Sequence, residues 1–357
     1  MLLDIKYNNK YNKLIKENIY FFNKEENNYS FNKEKINNII SSFNIEDFWN
    51  FQLGSVKSNS ILTPWYITGM SDGEGSFQTT IQDIKGKGET GYKTFLEFKI
   101  TQKNHSVGIL HEIKKFFGYG RINVDNNKTS TMKFIVTNIN DLMNKVIPHF
   151  DKYSLKTSKH LNCLDFKKAV IIMNEKKHYS IEGIKSLKEI KSKMKKSRLF
   201  QDKFNYCWSK DIIVNQGWVQ GFIDGEGSFQ CEINFSNKIK LYPLINFSLQ
   251  IKQSNHDVAV LYAIKEIFNS GYLKPKYEIK NMTSALNAVR NTTALWIRNS
   301  EAIYNFFDLY LLYTIKRLDY LDWKRLIYLK KVNAHLSNEG LYLMKKIKSS
   351  MNDKRIK

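Results

Sequence analysis

The sequence predicts an α+β protein of two pseudo-symmetric halves, each of αββαββα type, packed through one short helix from each half and carrying antiparallel sheets. Three observations predict this. The stretch WYITGMSDGEGSFQ at residues 65–78 recurs as GWVQGFIDGEGSFQ at residues 217–230, which makes Glu74 and Glu226 equivalent positions 152 residues apart. Strict two-residue alternation follows each copy, and later segments of the first half echo again in the second. The expected layout is an Asn/Lys-rich extension at 1–58, a first half at 59–197, a linker of mixed polarity at 198–211 and a second half at 212–357.

A chain of 357 residues is long enough for two cores, and 42% apolar with 14% aromatic residues marks a folding sequence. The net charge of +22 points to a polyanionic partner. A membrane is not expected as partner. The longest apolar candidate, 302–315, is broken by Asn305 and Asp308 and reads as a core helix. The first residues, MLLDIKYNNK, lack the apolar core of a signal peptide. Cys163, Cys207 and Cys231 are odd in number and lack metal-ligand spacing, so they read as reduced structural thiols. Richness in Asn, Lys, Ile, Tyr and Phe with only 4 Pro fits an AT-rich gene, of the kind organelle genomes carry.

Taken in order, the extension holds segments such as KYNNKYNKLIKENIY that match nothing later and reads as weakly helical chain. Each copy of the repeat opens with apolar residues at helical spacing and places glycines four apart, Gly69 with Gly73 and Gly221 with Gly225. Glycines so spaced share one helix face and let two backbones approach, so the copies can pack about a pseudo-twofold axis. That packing brings Glu74 and Glu226 together at the helix C-termini. There they oppose the macrodipoles and repel each other, a cost that a cation relieves. Carboxylates with main-chain carbonyls and water make a hard oxygen site that suits Mg²⁺ or a similar divalent ion.

The strands follow. Phe77, Thr79 and Ile81 alternate with Ser76, Gln78, Thr80 and Gln82; Phe229, Cys231 and Ile233 alternate with Gln230, Glu232 and Asn234. Leu96, Phe98 and Ile100 alternate with Glu97, Lys99 and Thr101, and Phe247, Leu249 and Ile251 with Ser248, Gln250 and Lys252. These are half-buried antiparallel strands with one wet face. Gln102 and Gln253 break the apolar register at matching strand ends and need partners. HEIKKFFGYGRI and YAIKEIFNSGYLKPK then align, each a helix, a glycine and a strand. The closing echo sets His178, Ser180 and Gly183 against His335, Ser337 and Gly340, a capped basic helix in each half. Those histidines, and the pair His105 and His256, read as turn residues, because no i, i+4 pairing accompanies them.

At the duplicated motif the chain resembles the LAGLIDADG homing endonucleases, in the form with two motifs on one chain; the nine motif positions fall on residues 67–75 and 219–227. The resemblance covers about residues 60 to 352 and implies a monomer whose sheets form a DNA-binding saddle, acting on double-stranded DNA, with a mitochondrial location. It implies that Glu74 and Glu226 hold metal with the carbonyls of Gly73 and Gly225. It also implies that Gln102 and Gln253 point to the active centre, and that Lys276 lies near the scissile phosphates. Glu stands where the family name has Asp, and both are used among relatives. Asp72 and Asp224 occupy the preceding turn and read as structural.

A twisted sheet in the major groove presents every second side chain to base edges. A nine-residue strand spans about 30 Å, roughly nine base pairs. The expected DNA-binding set is Gln78, Thr80, Gln82 and Lys99 in the first half, and Gln230, Glu232, Asn234, Gln250 and Lys252 in the second; Gln78, Gln82, Gln230 and Asn234 are of the kind that read bases, and because the halves differ the target should be asymmetric. The leading expectation is a metal-dependent, site-specific DNA endonuclease that promotes intron homing. Its alternatives are an intron-RNA-binding maturase and a non-catalytic DNA-binding regulator on the same scaffold. Retention of both motif acids favours the nuclease.

Overall fold

The computed structural model describes residues 62–357 apart from 85–89, 210, 236–242, 275–282, 284, 286–290, 353–354 and 356–357. The extension at 1–58 and Lys276 lie outside the described residues. The first half runs α1 (Pro64–Glu74), β1 (Gly75–Asp83), β2 (Tyr92–Lys103), α2 (Val107–Phe117), β3 (Arg121–Asn126), β4 (Thr131–Val136), a three-part helix α3 (Ile139–Asp141, Leu142–Val146, Ile147–Lys152), α4 (Lys159–Asn174) and α5 (Ile181–Ser192). After α6 (Phe200–Trp208), the second half repeats the order. It runs α7 (Gln216–Glu226), β5 (Gly227–Asn234), β6 (Leu244–Ser254), α8 (Val258–Phe268), β7 (Tyr272–Lys274), β8 (Thr292–Ile297), α9 (Ser300–Phe307), α10 (Lys316–Lys331) and α11 (Asn338–Ser349).

Each half carries a four-stranded antiparallel sheet, in the orders β1-β2-β4-β3 and β5-β6-β8-β7. The motif helices start where side chains cap them. Thr63 accepts the Tyr66 N–H at 3.1 Å ahead of Pro64, and Asn215 accepts the Trp218 N–H at 2.9 Å. β1, β2 and β5 bury alternate residues as the period demands, whereas β6 buries 247–251 without a break. Phe77 packs on Phe98 and Phe150 with ring centroids 5.1 and 5.3 Å apart. Phe229 plays the same part against Phe307 and Trp323. Each such buried ring contributes on the order of 2 to 3 kcal/mol of apolar burial.

Two segments differ from the sequence reading. The expected core helix at 302–315 stops at Phe307, because the residues after it turn their N–H groups inward to an acid of the motif. The linker at 198–211 contains α6, which packs on the turn Asn255–Asp257 through Phe200, edge-on to His256, and buried Cys207, whose Sγ donates to Asp257 at 3.0 Å. The closing helices are capped as expected, since Ser180 and Ser337 accept from the N–H groups of Gly183 and Gly340 at 3.0 Å. Glycine is needed there because a Cβ would run into the main-chain oxygen of Lys177 or Ala334. All three cysteines are buried thiols outside any disulfide. Among the described residues no helix is long and apolar enough to cross a membrane.

Candidate active site

The site begins with the approach of α1 to α7. A Cβ at Gly69 would collide with the main-chain oxygen of Trp218, and one at Gly221 with that of Tyr66, so only glycine permits this contact. The helices also exchange polar side chains: Tyr66 donates its hydroxyl to Asp224 at 2.7 Å and Trp218 its indole N–H to Asp72 at 2.8 Å. Asp72 further accepts from the N–H groups of Lys156 and Thr157 at 2.7 and 3.1 Å, and Asp224 from those of Tyr313 and Thr314 at 2.6 and 3.2 Å. Burial pushes both carboxyls up, against these bonds, which favour the charged form. Both aspartates are thus saturated with internal donors and tie the helix pair to the segments that lead into α4 and α10.

Glu74 and Glu226 end α1 and α7. A Cβ on Gly73 would stand 3.4 Å from Glu226 Cγ, and one on Gly225 would stand 3.4 Å from Glu74 Cγ. Each acid therefore reaches across to the terminal glycine of the opposite helix, and the two converge. Burial raises both carboxyls above the ordinary range, and the charge of Glu74 raises Glu226 further; Lys159 and Lys316 pull the other way. Gln253 lies beside Glu226 and helps hold its carboxyl down, whereas Gln102 turns its amide towards Met70 Sδ at 3.9 Å. The matched glutamines are therefore not equivalent.

Two residues of the site were not singled out in the sequence. Lys159 and Lys316 open α4 and α10 and thread their ammonium groups inward. Lys159 donates to Gly73 O at 2.5 Å and Ser71 O at 3.4 Å; Lys316 donates to Gly225 O and, at 3.0 Å, to Asp224 O. They occupy the negative ends of the motif helices, where the dipoles favour a cation. Burial lowers both ammonium pKa values, while the surrounding acids hold them up. The start of each lysine-bearing helix is held by the opposite half: Asp257 accepts the Ser158 N–H at 2.7 Å, and Ser106 Oγ accepts the Ile315 N–H at 3.3 Å. The echo of YSLKTSK at 153–159 with YLLYTIK at 310–316 is the signal that could have found these lysines.

Residues 67–170 and 219–327 match the family model described as LAGLIDADG endonuclease. This chain is a member of the LAGLIDADG endonuclease family. It is 27% identical over 322 residues to the Neurospora crassa protein "Probable intron-encoded endonuclease 3", covering 84% of this chain and 58% of the relative. It is 29% identical over 311 residues to "Probable intron-encoded endonuclease 2" of the same fungus, covering 81% and 65%. The chain thus spans less than two thirds of either relative. Among solved structures, the I-SmaMI LAGLIDADG homing endonuclease bound to cleaved DNA superposes with a TM-score of 0.70 at 27% identity, covering 84% of this chain and 100% of that one. I-LtrWI bound to target DNA gives 0.68 at 29%, covering 82% and 98%.

Within this LAGLIDADG scaffold the wet faces of the sheets carry most of the expected row. Gln82, Asn234 and Lys252 are exposed, and Gln78, Thr80, Gln230 and Glu232 are half-buried. Lys99 is held by Asp125 at 2.9 Å. Gln250 departs from the expectation of an open polar position. It is only 8% exposed, lying between Ser228 of β5 and Trp296 of β8, whose indole stands on the same face. The four matched histidines each lie in a single 3₁₀ turn, His105 and His256 after the second strand of each half and His178 and His335 ahead of each closing helix.

Proposed function

We propose that this chain is a site-specific DNA endonuclease that hydrolyses one phosphodiester in each strand of an asymmetric target and so promotes homing of the intron that encodes it. The observation that carries the reading is the convergence of Glu74 and Glu226, each beside a main-chain oxygen contacted by a lysine from its own half. The intron-encoded fungal relatives and the DNA-bound neighbours support it, and an organelle, the mitochondrion, is the compartment it implies.

The donor chemistry fits a hard divalent cation such as Mg²⁺. Glu74, Glu226 and the oxygens of Gly73 and Gly225 would hold it, and those two oxygens already take up ammonium groups. When bound, the ion supplies an activated water and charge neutralisation at the phosphate. The protein's own groups supply the rest. Lys159 and Lys316 place positive charge beside the developing phosphorane in each strand, Gln253 orients the Glu226 carboxylate, and the alternating polar rows of the two sheets set the register on the groove. Because the two rows differ in composition, the preferred target lacks twofold symmetry.

The test is selection of cleaved molecules from a randomised double-stranded DNA library with Mg²⁺, repeated with a chelator. A single long asymmetric site cut in both strands is expected. Cutting with no sequence preference, or none at all by folded protein, would refute the proposal.

A further inference from the structure

Each half ends in a turn that no part of the motif requires. After α5 and α11, buried Met194 and Met351 are followed by residues in the left-handed region, Lys195 at φ 56 and Asn352 at φ 57. Their N–H groups are caught by Asn162 and Asp319, both at 2.9 Å. Three residues on, an arginine locks each turn to its long helix: Arg198 pairs with Asp165 of α4, and Arg355 Nη2 lies 2.7 Å from both Asp319 and Asp322 of α10. A left-handed conformation is unfavourable for lysine, so these anchors hold Lys195 where its own backbone preference would not.

The turns deliver their side chains to the wet face of the sheets. Lys195 Nζ donates to Gln78 Oε1 at 3.1 Å, and Gln78 Nε2 in turn donates to Thr80 Oγ1 at 3.2 Å. Gln78 lies directly opposite Glu97 of β2, whose carboxylate stands 3.9 Å from Lys99 Nζ. The ammonium of Lys195 is therefore anchored to a side chain of the polar row itself. In the second half Asn352 donates to Phe229 O at 3.0 Å and accepts from Ser228 Oγ at 2.9 Å, while Ser228 Oγ accepts from Gln230 Nε2 at 2.7 Å. The same turn brings a cation to one row and a neutral amide to the other.

The geometry points to Lys195 as a base-reading residue of the first half, acting with Gln78 on an acceptor-rich major-groove edge, guanine O6 and N7. Resting on the nuclease reading above, this makes the turn after α5 part of the DNA interface and a source of the target's asymmetry. One of the three ammonium donors fixes Gln78, which leaves the others for the base. In the second half Gln230 commits one of its two amide hydrogens to Ser228, which leaves its carbonyl oxygen and second N–H for a base edge such as adenine N6 and N7.

The test compares full-length wild type, Lys195→Met and Lys195→Asn for relative cleavage across a library of single base-pair changes in the selected target, at two salt concentrations. Asparagine suits the left-handed turn, as the second half shows, so this variant keeps the backbone even if methionine disturbs it. Both variants should lose roughly tenfold discrimination at one G·C position, the position also relaxed by Gln78→Ala, with the remaining positions unchanged. A uniform loss across all sequences with a salt slope reduced by about one would make Lys195 a phosphate contact and overturn the assignment. Unchanged profiles in both variants, with a sharp wild-type profile, would overturn it while leaving the nuclease reading intact. A wild type without any preferred target would sink that reading instead.

Discussion

The ammonium of Lys159 and the main-chain oxygen of Gly73 are 2.5 Å apart, a contact that puts a cation on the negative end of one motif helix, beside two converging acids. Lys316 makes the matching contact to Gly225. If each lysine serves one strand, Lys159→Met and Lys316→Met should each slow one nick by about 10²- to 10³-fold, the range for loss of one electrostatic contact at a reacting centre. On a supercoiled plasmid carrying the target, each variant should accumulate nicked circles, with different strands cut. Linear product formed at the wild-type rate by both would remove the lysines from the site.

Glu74→Gln and Glu226→Gln should each abolish double-strand cutting while leaving DNA affinity largely intact. Their effect on folding should run the other way. Both carboxyls are raised in the folded state, so the folded protein holds these protons more tightly than the unfolded chain does. Stability from this source is present below the ordinary carboxyl range and is lost as pH rises through the raised values. Glutamine removes that loss, so without divalent ions both variants should melt above wild type at pH 8, the gap closing towards pH 4. Variants that melt below wild type at pH 8 would show that the acids stabilise the fold.

Much of this was legible beforehand. The motif helices, the two sheets and the meeting of Glu74 with Glu226 follow from a repeat and from period-two alternation, both local signals. Lys159 and Lys316 were not legible, because a lysine in the first turn of a helix resembles any solvated lysine. Only the tertiary fold sets Lys159 beneath a carbonyl 86 residues away. Gln250 fails for a related reason: alternation places it on the wet face, and the tryptophan that crowds it comes from another strand. Lys195 lies in a basic run, KSKMKKSR, that carries no sequence signal of its own, and only the arginine anchor and the left-handed turn bring it onto Gln78 of β1.

The glycine contact gives a stability prediction. Alanine improves helix propensity over glycine by up to about 1 kcal/mol, but a methyl at Gly69 or Gly221 meets main chain, which cannot rotate away. Overpacking of that kind costs about 3 kcal/mol, so Gly69→Ala and Gly221→Ala should each lose about 2 kcal/mol or more in urea unfolding. Gly108, near the start of α2, has nothing within 4 Å of a built Cβ, and Gly108→Ala should be neutral or slightly stabilising. Equal effects at all three positions would mean that the helix pair is looser than described.

His149 provides an acid-side prediction. It is buried among Phe116, Phe117 and Phe150, and burial pushes its pKa down to about 4. The unfolded chain takes up the proton near the ordinary histidine value, so stability falls as pH drops between about 6.5 and 4. Over that window the loss approaches roughly 3 kcal/mol. Phe306 holds the corresponding position in the second half, where HFDKYSLKTSK aligns with FFDLYLLYTIK, so the site accepts a ring without a charge. In His149→Phe, Thr68 gives up a 3.3 Å contact to the imidazole but keeps its bond to Tyr153 O at 3.0 Å. The variant should therefore unfold in urea with a much smaller difference between pH 7 and pH 4.5 than wild type. If both proteins lose the same stability over that interval, the acid sensitivity comes from other groups and His149 is already charged in the folded state.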